Sequence, residues 1–229
     1  ADALLHVVRN HQAFGFDPPD PDADFKAMDQ ELILTDLAVV EKRMERIATD
    51  SRKGKSLDKE EHDLLFRAKQ ALEEETPLRR FPEIAEAPVL RGYGFLSAKP
   101  MLVLFNNTDE DESLPEVSGT VSAETCMVIR GKLEHELAQM SQEEAAELLS
   151  EFNIAASATD RVIRKSYAVL GLISFFTVGE DEVRAWTITR GTTALDAAEE
   201  IHSDIKKGFI RAEIISYDDL MAAGAMAAA

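Results

Sequence analysis

The stretch Ala98 to Asp109, AKPMLVLFNNTD, constrains the fold more than any other part of the chain. Met101 to Phe105 is an apolar run of strand length, entered through a proline and ended abruptly by four polar residues. An unbroken apolar run needs cover on both faces, which is the condition of a central strand in a parallel sheet. In open α/β sheets ligands bind beyond the carboxyl ends of such strands, so Asn106 to Asp109 stands where a base or ribose would be read. A polar turn closing a core strand has the same spacing, and the residues alone leave both readings open.

The 229 residues are 45% hydrophobic and 30% charged, enough for two or three modest domains with real cores. Forty-three acids against 25 bases give a net charge of −18, so the whole-molecule field repels phosphate and only local basic patches could touch RNA. The single cysteine, Cys126, excludes an internal disulfide and a cysteine cluster, and reads as a small core residue. No apolar run approaches the roughly 20 residues that cross a bilayer, and ADALLHVVRN has neither the basic start nor the cleavage site of a signal peptide. The expected location is cytoplasmic, with no membrane partner.

In chain order, Ala3 to Val8 reads as a buried central strand, and a domain opening on such a strand is expected to have an earlier part elsewhere. His6 within it reads as a hydrogen-bonded core histidine, because no second metal ligand lies at helical or strand spacing. Phe14 to Asp24, FGFDPPDPDAD, reads as a loop. Ile33, Leu37, Val40, Met44 and Ile47 then mark a heptad seam, and Leu57, Leu64, Ala68 and Ala71 recover it beyond SRKGKS, with Glu61 filling one position. Two antiparallel helices follow from this pattern, each about 25 Å long. Arg43 and its charged neighbours are assigned to a solvated face, and Arg52, Lys53 and Lys55 to a basic tip. The hairpin is either a local stabilising insert or an arm offered to a partner.

From Pro77 to Gly94 prolines and glycines break every period, and the chain is expected to rejoin the sheet at Leu96. Cys126 to Ile129 is a short strand followed by Arg130, Gly131 and Lys132 and a helix over Leu133 to Met140, a second ligand-facing loop able to converge with the first on one base. Ser141 and Glu144 form a capping box, and a helix over Thr159 to Leu170 stops at Gly171. The tail reads as a hairpin, Phe175–Val178 and Val183–Ile188 joined by GEDE, then a helix over Ala194–His202 and a strand over Phe209–Ile215.

The run EVRAWTITRGTTALDAAEEIHSDIKKGFIRAEIISYDDL, Glu182 to Leu220, resembles the TGS domain of the Obg-like ATPase (YchF) family of P-loop NTPases. In order before it, LLHVVRN resembles the strand after the second switch, QELILTDLAVVEKRMERI the start of the coiled-coil insert, and AKPMLVLFNN the strand leading to the base-recognition motif; TDRVIRKSYAVLGLISFFTVGEDEVRAW also follows the family. The resemblance covers nearly the whole chain but only the later part of the family's length. It implies an α/β nucleotide-binding domain over 1–22 and 95–171, a helical hairpin insert over 23–94 and an α+β β-grasp TGS domain over 172–229 that is incomplete at its end. The Walker A loop, both switches and the last TGS strands have no counterpart here.

Two departures bear on the base. Where the family reads Asn-x-x-Glu, associated with ATP, and guanine-specific relatives read Asn-Lys-x-Asp, this chain has Asn106, Asn107, Thr108 and Asp109. A carboxylate accepts from guanine N1 and N2, whereas adenine N1 offers no donor. Asp109 is expected to turn to solvent or to its own loop, leaving Asn106 as the main base contact. The segment between Asp109 and Arg130 is shorter than the family norm, and Arg130 replaces a small residue.

By this resemblance the base-binding residues are Asn106, Asn107, Asp109, Arg130, Gly131 and Lys132, and Lys206, Lys207 and Arg211 join the basic tip as candidate partner contacts. The intact protein would hydrolyse ATP or GTP with Mg²⁺ and associate with the ribosome or RNA. These residues alone, with no GxxxxGK[ST] loop, are expected to bind no cofactor and to hydrolyse nothing. The alternative is a non-catalytic adaptor in which the hairpin and the TGS domain hold a translation- or stress-related partner.

Overall fold

A computed structural model describes residues 1–118, 125–151, 156–179 and 181–224. Two compact units divide the chain, Ala1–Leu170 and Gly171–Ala229. Glu180 of the expected GEDE turn, residues 119–124 before the short strand and the last five residues lie outside the described part.

The first unit is built on a parallel sheet of β1 (Leu4–Asn10), β2 (Met101–Asn107) and β3 (Cys126–Ile129), in that spatial order. Leu4 lies opposite Met101 and Asn10 opposite Asn107, while Val103 to Asn106 face Cys126 to Ile129. The central strand β2 is buried almost throughout, as its unbroken apolar run requires. One face packs Val8, Phe25, Met101, Val103, Phe105 and Cys126; the other packs Leu102, Leu104 and Met127 against Val162 and Val169. The first strand departs from expectation. It lies at the edge of the three-stranded sheet and leaves Leu5 and Val7 more than half exposed. His6 stacks on Phe25 with ring centroids 5.8 Å apart, and its buried Nδ1 has no hydrogen-bond partner, so it is a packed histidine and not a hydrogen-bonded one. Burial pushes its pKa down, since desolvation disfavours the charged ring.

Helix α1 runs from Pro21 to Arg52, so it begins inside the stretch read as a loop. The prolines and acids that break a strand also start a helix: Asp20 accepts from the Ala23 N–H at 3.0 Å, Pro21 needs no donor in the first turn, and Asp22 and Asp24 face the positive end of the dipole. Helix α2 spans Lys59–Glu73 and is capped by Asp58. The arms are therefore unequal, about 48 and 22 Å at the usual helical rise.

Along α1 the seam is as spaced, with Ile33, Val40 and Ile47 buried and Leu37 and Met44 packed beside them. On α2 the buried residues are Leu65, Ala68, Ala71 and Leu72, whereas Leu57 precedes the helix and is exposed. The α2 face is wider than a two-helix seam because Leu78, Ile84, Leu90 and Phe95 of the return segment join the same cluster. That segment winds through 3₁₀ turns at Leu78–Arg80 and Pro88–Tyr93, around a single turn α3 (Pro82–Ala85), and Gly94 with φ of 63° ends the last of these turns.

Three polar side chains at heptad spacing on α1 fasten this cluster. Asp29 pairs with Arg79, and buried Asp36 accepts from the backbone N–H groups of Leu96 and Ser97 at 2.9 and 2.7 Å. Leu96 is thus held by the helix, and the sheet is rejoined only at Met101. Arg43 is not on a solvated face: its guanidinium donates two bonds to Glu61, at 3.0 and 2.7 Å, and the Tyr93 hydroxyl donates to the same carboxylate. The Arg43 bond, aided by Tyr93, holds the Glu61 carboxyl below its usual range.

Beyond β3 come α4 (Gly131–Leu137), α5 (Gln142–Glu151) and α6 (Ala158–Val169). The capping box at α5 has both halves, the Ser141 N–H donating to Glu144 and the Glu144 N–H to the Ser141 hydroxyl.

In the second unit β4 (Leu172–Val178) and β5 (Val183–Thr189) pair antiparallel, and α7 (Ala194–Ile201), α8 (Ser203–Lys207) and α9 (Tyr217–Ala223) follow. The strand expected over Phe209–Ile215 is not formed. A strand exists only against a neighbour, and none of the described residues supplies one; Ile210 and Ile214 are 91% and 81% exposed.

Candidate functional site

The parallel register brings the ends of β2 and β3 side by side, with Asn106 opposite Ile129, so the two polar loops meet. Asn106 Oδ1 accepts from the Gly131 N–H at 2.9 Å. A Cβ on Gly131 would lie 2.8 Å from that oxygen, so a larger residue there would push the Asn106 amide out of this contact. The Asn106 amide nitrogen is left without a protein partner among the described residues.

Asp109 neither turns to solvent nor bonds its own loop. Its Oδ1 accepts from the Leu133 N–H at 3.1 Å, and Oδ2 lies 3.5 Å from the Lys132 ammonium. The carboxylate thereby supplies the cap that Arg130, the residue before α4, does not give with its own side chain. Lys132 itself is 76% exposed. Arg130 is buried; its guanidinium donates to the Asp109 carbonyl at 3.2 Å and pairs with Glu112 at 3.0 Å. Asn107 is buried as well, and its amide is fully used: the nitrogen donates to the Asp111 and Ser113 carbonyls at 3.2 and 2.9 Å, and Oδ1 accepts from Asn10 at 2.9 Å. Behind the site, Glu134 accepts from the Ala158 N–H at 2.8 Å and meets Arg161, which braces α4 on α6.

The six residues singled out in the sequence therefore come together in two roles. Asn106, Gly131, Asp109 and Lys132 form the open edge, while Asn107 and Arg130 hold the loop from beneath. Asn10 and Glu112 went unnoticed. The available signal for Asn10 was its place at the end of β1, since parallel strands of equal length put their last residues side by side. An amide with an unused donor beside a flat glycine suits the edge of a planar heterocycle, which is bound by directed hydrogen bonds. Among the described residues no three His, Cys, Asp or Glu side chains are grouped to hold a metal ion. A cavity of about 370 Å³ lies at the opposite end of β2, lined by Phe25, Arg79, Ala98, Met101 and others, and is separate from this edge.

The partner candidates fall in both units. At the hairpin tip Arg52 and Lys53 are exposed, Gly54 turns the chain with φ of 78°, and Lys55 pairs with Asp50 at 2.9 Å. In the second unit Lys206 lies between Asp196 and Glu199, Lys207 pairs with Asp204, and Arg211 is exposed. No described helix is long and apolar enough to cross a membrane.

Residues 172–229 match the family profile YchF-GTPase_C, described as a protein of unknown function (DUF933). The chain is 38% identical over 250 residues to the ribosome-binding ATPase YchF of Bacillus subtilis, covering 100% of this chain and 66% of that protein. The ribosome-binding ATPase YchF of Haemophilus ducreyi is 36% identical, with 96% of this chain and 64% of the relative covered. Obg-like ATPase 1 of Caenorhabditis elegans is 33% identical, with 97% and 60% covered. A solved structure of the Schizosaccharomyces pombe YchF GTPase superposes with a TM-score of 0.79 at 29% identity, covering 99% of this chain and 65% of that one. The chain thus spans between 60% and 66% of the length of these curated relatives. With sequence and fold agreeing over nearly all of its residues, the chain belongs to the YchF, or Obg-like ATPase, family.

Proposed function

We propose that this chain forms the base-recognising side of the nucleotide site in a ribosome-associated nucleoside triphosphatase. The supporting observation is the contact of Asn106 with the Gly131 N–H, which fixes one side of the amide and leaves its donor for a base. Asn106 makes the principal contact, Gly131 keeps the surface flat, Lys132 lines the rim, and Asp109 is held back on α4. Asn107 and Arg130 support them. The phosphates and Mg²⁺ would be held by other parts of the intact protein, because a backbone cradle and its lysine are needed to grip them. The two segments either side of the hairpin, 1–22 and 95–171, make one nucleotide-binding domain in this reading, the 23–94 hairpin is its insert, and 172–229 is a TGS domain of β-grasp type.

The intact protein favours ATP, by a smaller margin than the family's Asn-x-x-Glu pattern implies. Guanine is read by a carboxylate facing its N1 and N2 donors, and Asp109 is engaged with Leu133 instead. Titration of the full-length protein with ATP and GTP tests this: ATP binds more tightly, and a tenfold preference for GTP, about 1.4 kcal/mol, would overturn it. A purified 1–229 fragment should show no turnover. The names of the relatives, ribosome-binding ATPases, support a ribosomal partner, for which the exposed hairpin tip is the proposed contact. Reversing the charges of Arg52, Lys53 and Lys55 should leave folding intact and reduce cosedimentation with ribosomes, most clearly at low salt.

A further inference from the structure

The loop that carries Asp109 is tied down from a strand on which no base contact lies. Backbone carbonyls only accept, so the Asn107 nitrogen must face Asp111 and Ser113, and its Oδ1 must then take a proton from Asn10. This chain of amides closes residues 108–113 into a compact turn, which Ser113 completes by donating from its N–H and hydroxyl to the Asp111 carboxylate. The turn is fixed at two further points, by Arg130 on the Asp109 carbonyl and by Asp109 itself on the first turn of α4. Asn10 is the only one of these anchors that lies on β1, outside both loops.

We propose that Asn10 is a positioning residue for base selectivity: by locking Asn107 it keeps the Asp109 carboxylate docked on α4 and out of reach of a base. The inference rests on the reading of this edge as a base site. Its physical content is that Asp109 has two alternative sets of donors, the Leu133 N–H in the docked loop and guanine N1 and N2 in a released one. Loss of the Asn10 donor leaves Asn107 Oδ1 buried without a partner, which favours rearrangement of the turn. The released carboxylate then repels adenine N1 and attracts guanine. A residue that served only the fold would weaken both nucleotides alike.

The test measures Kd for ATP and GTP on the full-length protein carrying Asn10→Ala, Asn10→Asp, and Asn10→Ala combined with Asp109→Asn, with thermal melting alongside. Asn10→Asp keeps the shape and removes the donor. Both single variants are expected to shift the Kd ratio toward GTP by threefold or more, and Asp109→Asn is expected to cancel that shift. Equal loss of affinity for both nucleotides, a ratio unchanged from the parent, or a shift that persists without the Asp109 carboxylate overturns the inference. Loss of the native transition in both single variants also overturns it, since Asn10 would then be a fold element. A parent protein that binds neither nucleotide refutes the base-site reading itself, which separates the two failures.

Discussion

In the hairpin, Val40 and Leu65 are fully shut off from solvent, whereas in the second unit Ile210 and Ile214, just as apolar and spaced as on one face of a strand, stand almost bare. Both pairs announce burial by their spacing. What separates them is the partner: α1 meets α2 and the return segment, while 209–216 meets no described strand. Periodicity states which face wants cover, and only a third element decides whether it is covered. The polar residues divide in the same way. Asp29, Asp36 and Arg43 are drawn into the hairpin cluster by groups on the return segment and α2, whereas the described partners of Lys206 and Lys207 are close in sequence.

The strongest way to break this contrast is Val40→Asp, which places an unpaired charge where no solvent reaches. It should cost about 4 kcal/mol or more in chemical denaturation. A cost under 1 kcal/mol would mean that the seam opens readily and resembles the tail. Next in size is Arg43→Ala, which strips Glu61 of its two charge-assisted bonds. Because Arg43 is about a third exposed, roughly 1–2 kcal/mol is expected in the same measurement.

These two positions also show what was legible. The seam on α1 follows from the alternation of four and three, but Arg43 is read as solvated by any rule that assigns charges outward. Its pairing depends on Glu61 and Tyr93, 18 and 50 residues away, and no local pattern encodes that meeting. The same holds where the ends of β2 and β3 meet. The strand ends and Gly131 are visible as motifs, whereas the commitment of Asp109 to Leu133 and of Asn107 to Asn10 exists only once three strands lie in register. The start of α1 failed for another reason, since proline with acids serves a linker and a helix N-terminus alike.

A smaller effect is expected from pH. The Glu61 pKa is depressed in the folded chain, so its contribution is complete above the unfolded value near pH 4 and is lost as pH falls through the folded value. Melting curves between pH 7 and pH 3 should fall less steeply for Glu61→Gln than for the parent in the acid limb; parallel curves would show the carboxylate to be uncoupled. The smallest effect is assigned to Ile210→Thr, at most about 0.5 kcal/mol because the side chain is already in water. A loss of 2 kcal/mol or more would reveal a covered strand and erase the difference between the two regions.

The clamp of Asp36 on Leu96 and Ser97 has a consequence in time as well as in stability. Strands β1 and β2 are neighbours in space but lie about 90 residues apart along the chain, which makes their pairing an entropically slow, long-range closure. If the hairpin collapses first and Asp36 captures the residues just before β2, the effective closure shrinks to about 37 residues. That lowers the entropic barrier by about 0.8 kcal/mol, or some fourfold in rate. Asp36→Ala is then expected to delay, in stopped-flow refolding, the docking of a sheet whose strands it never touches.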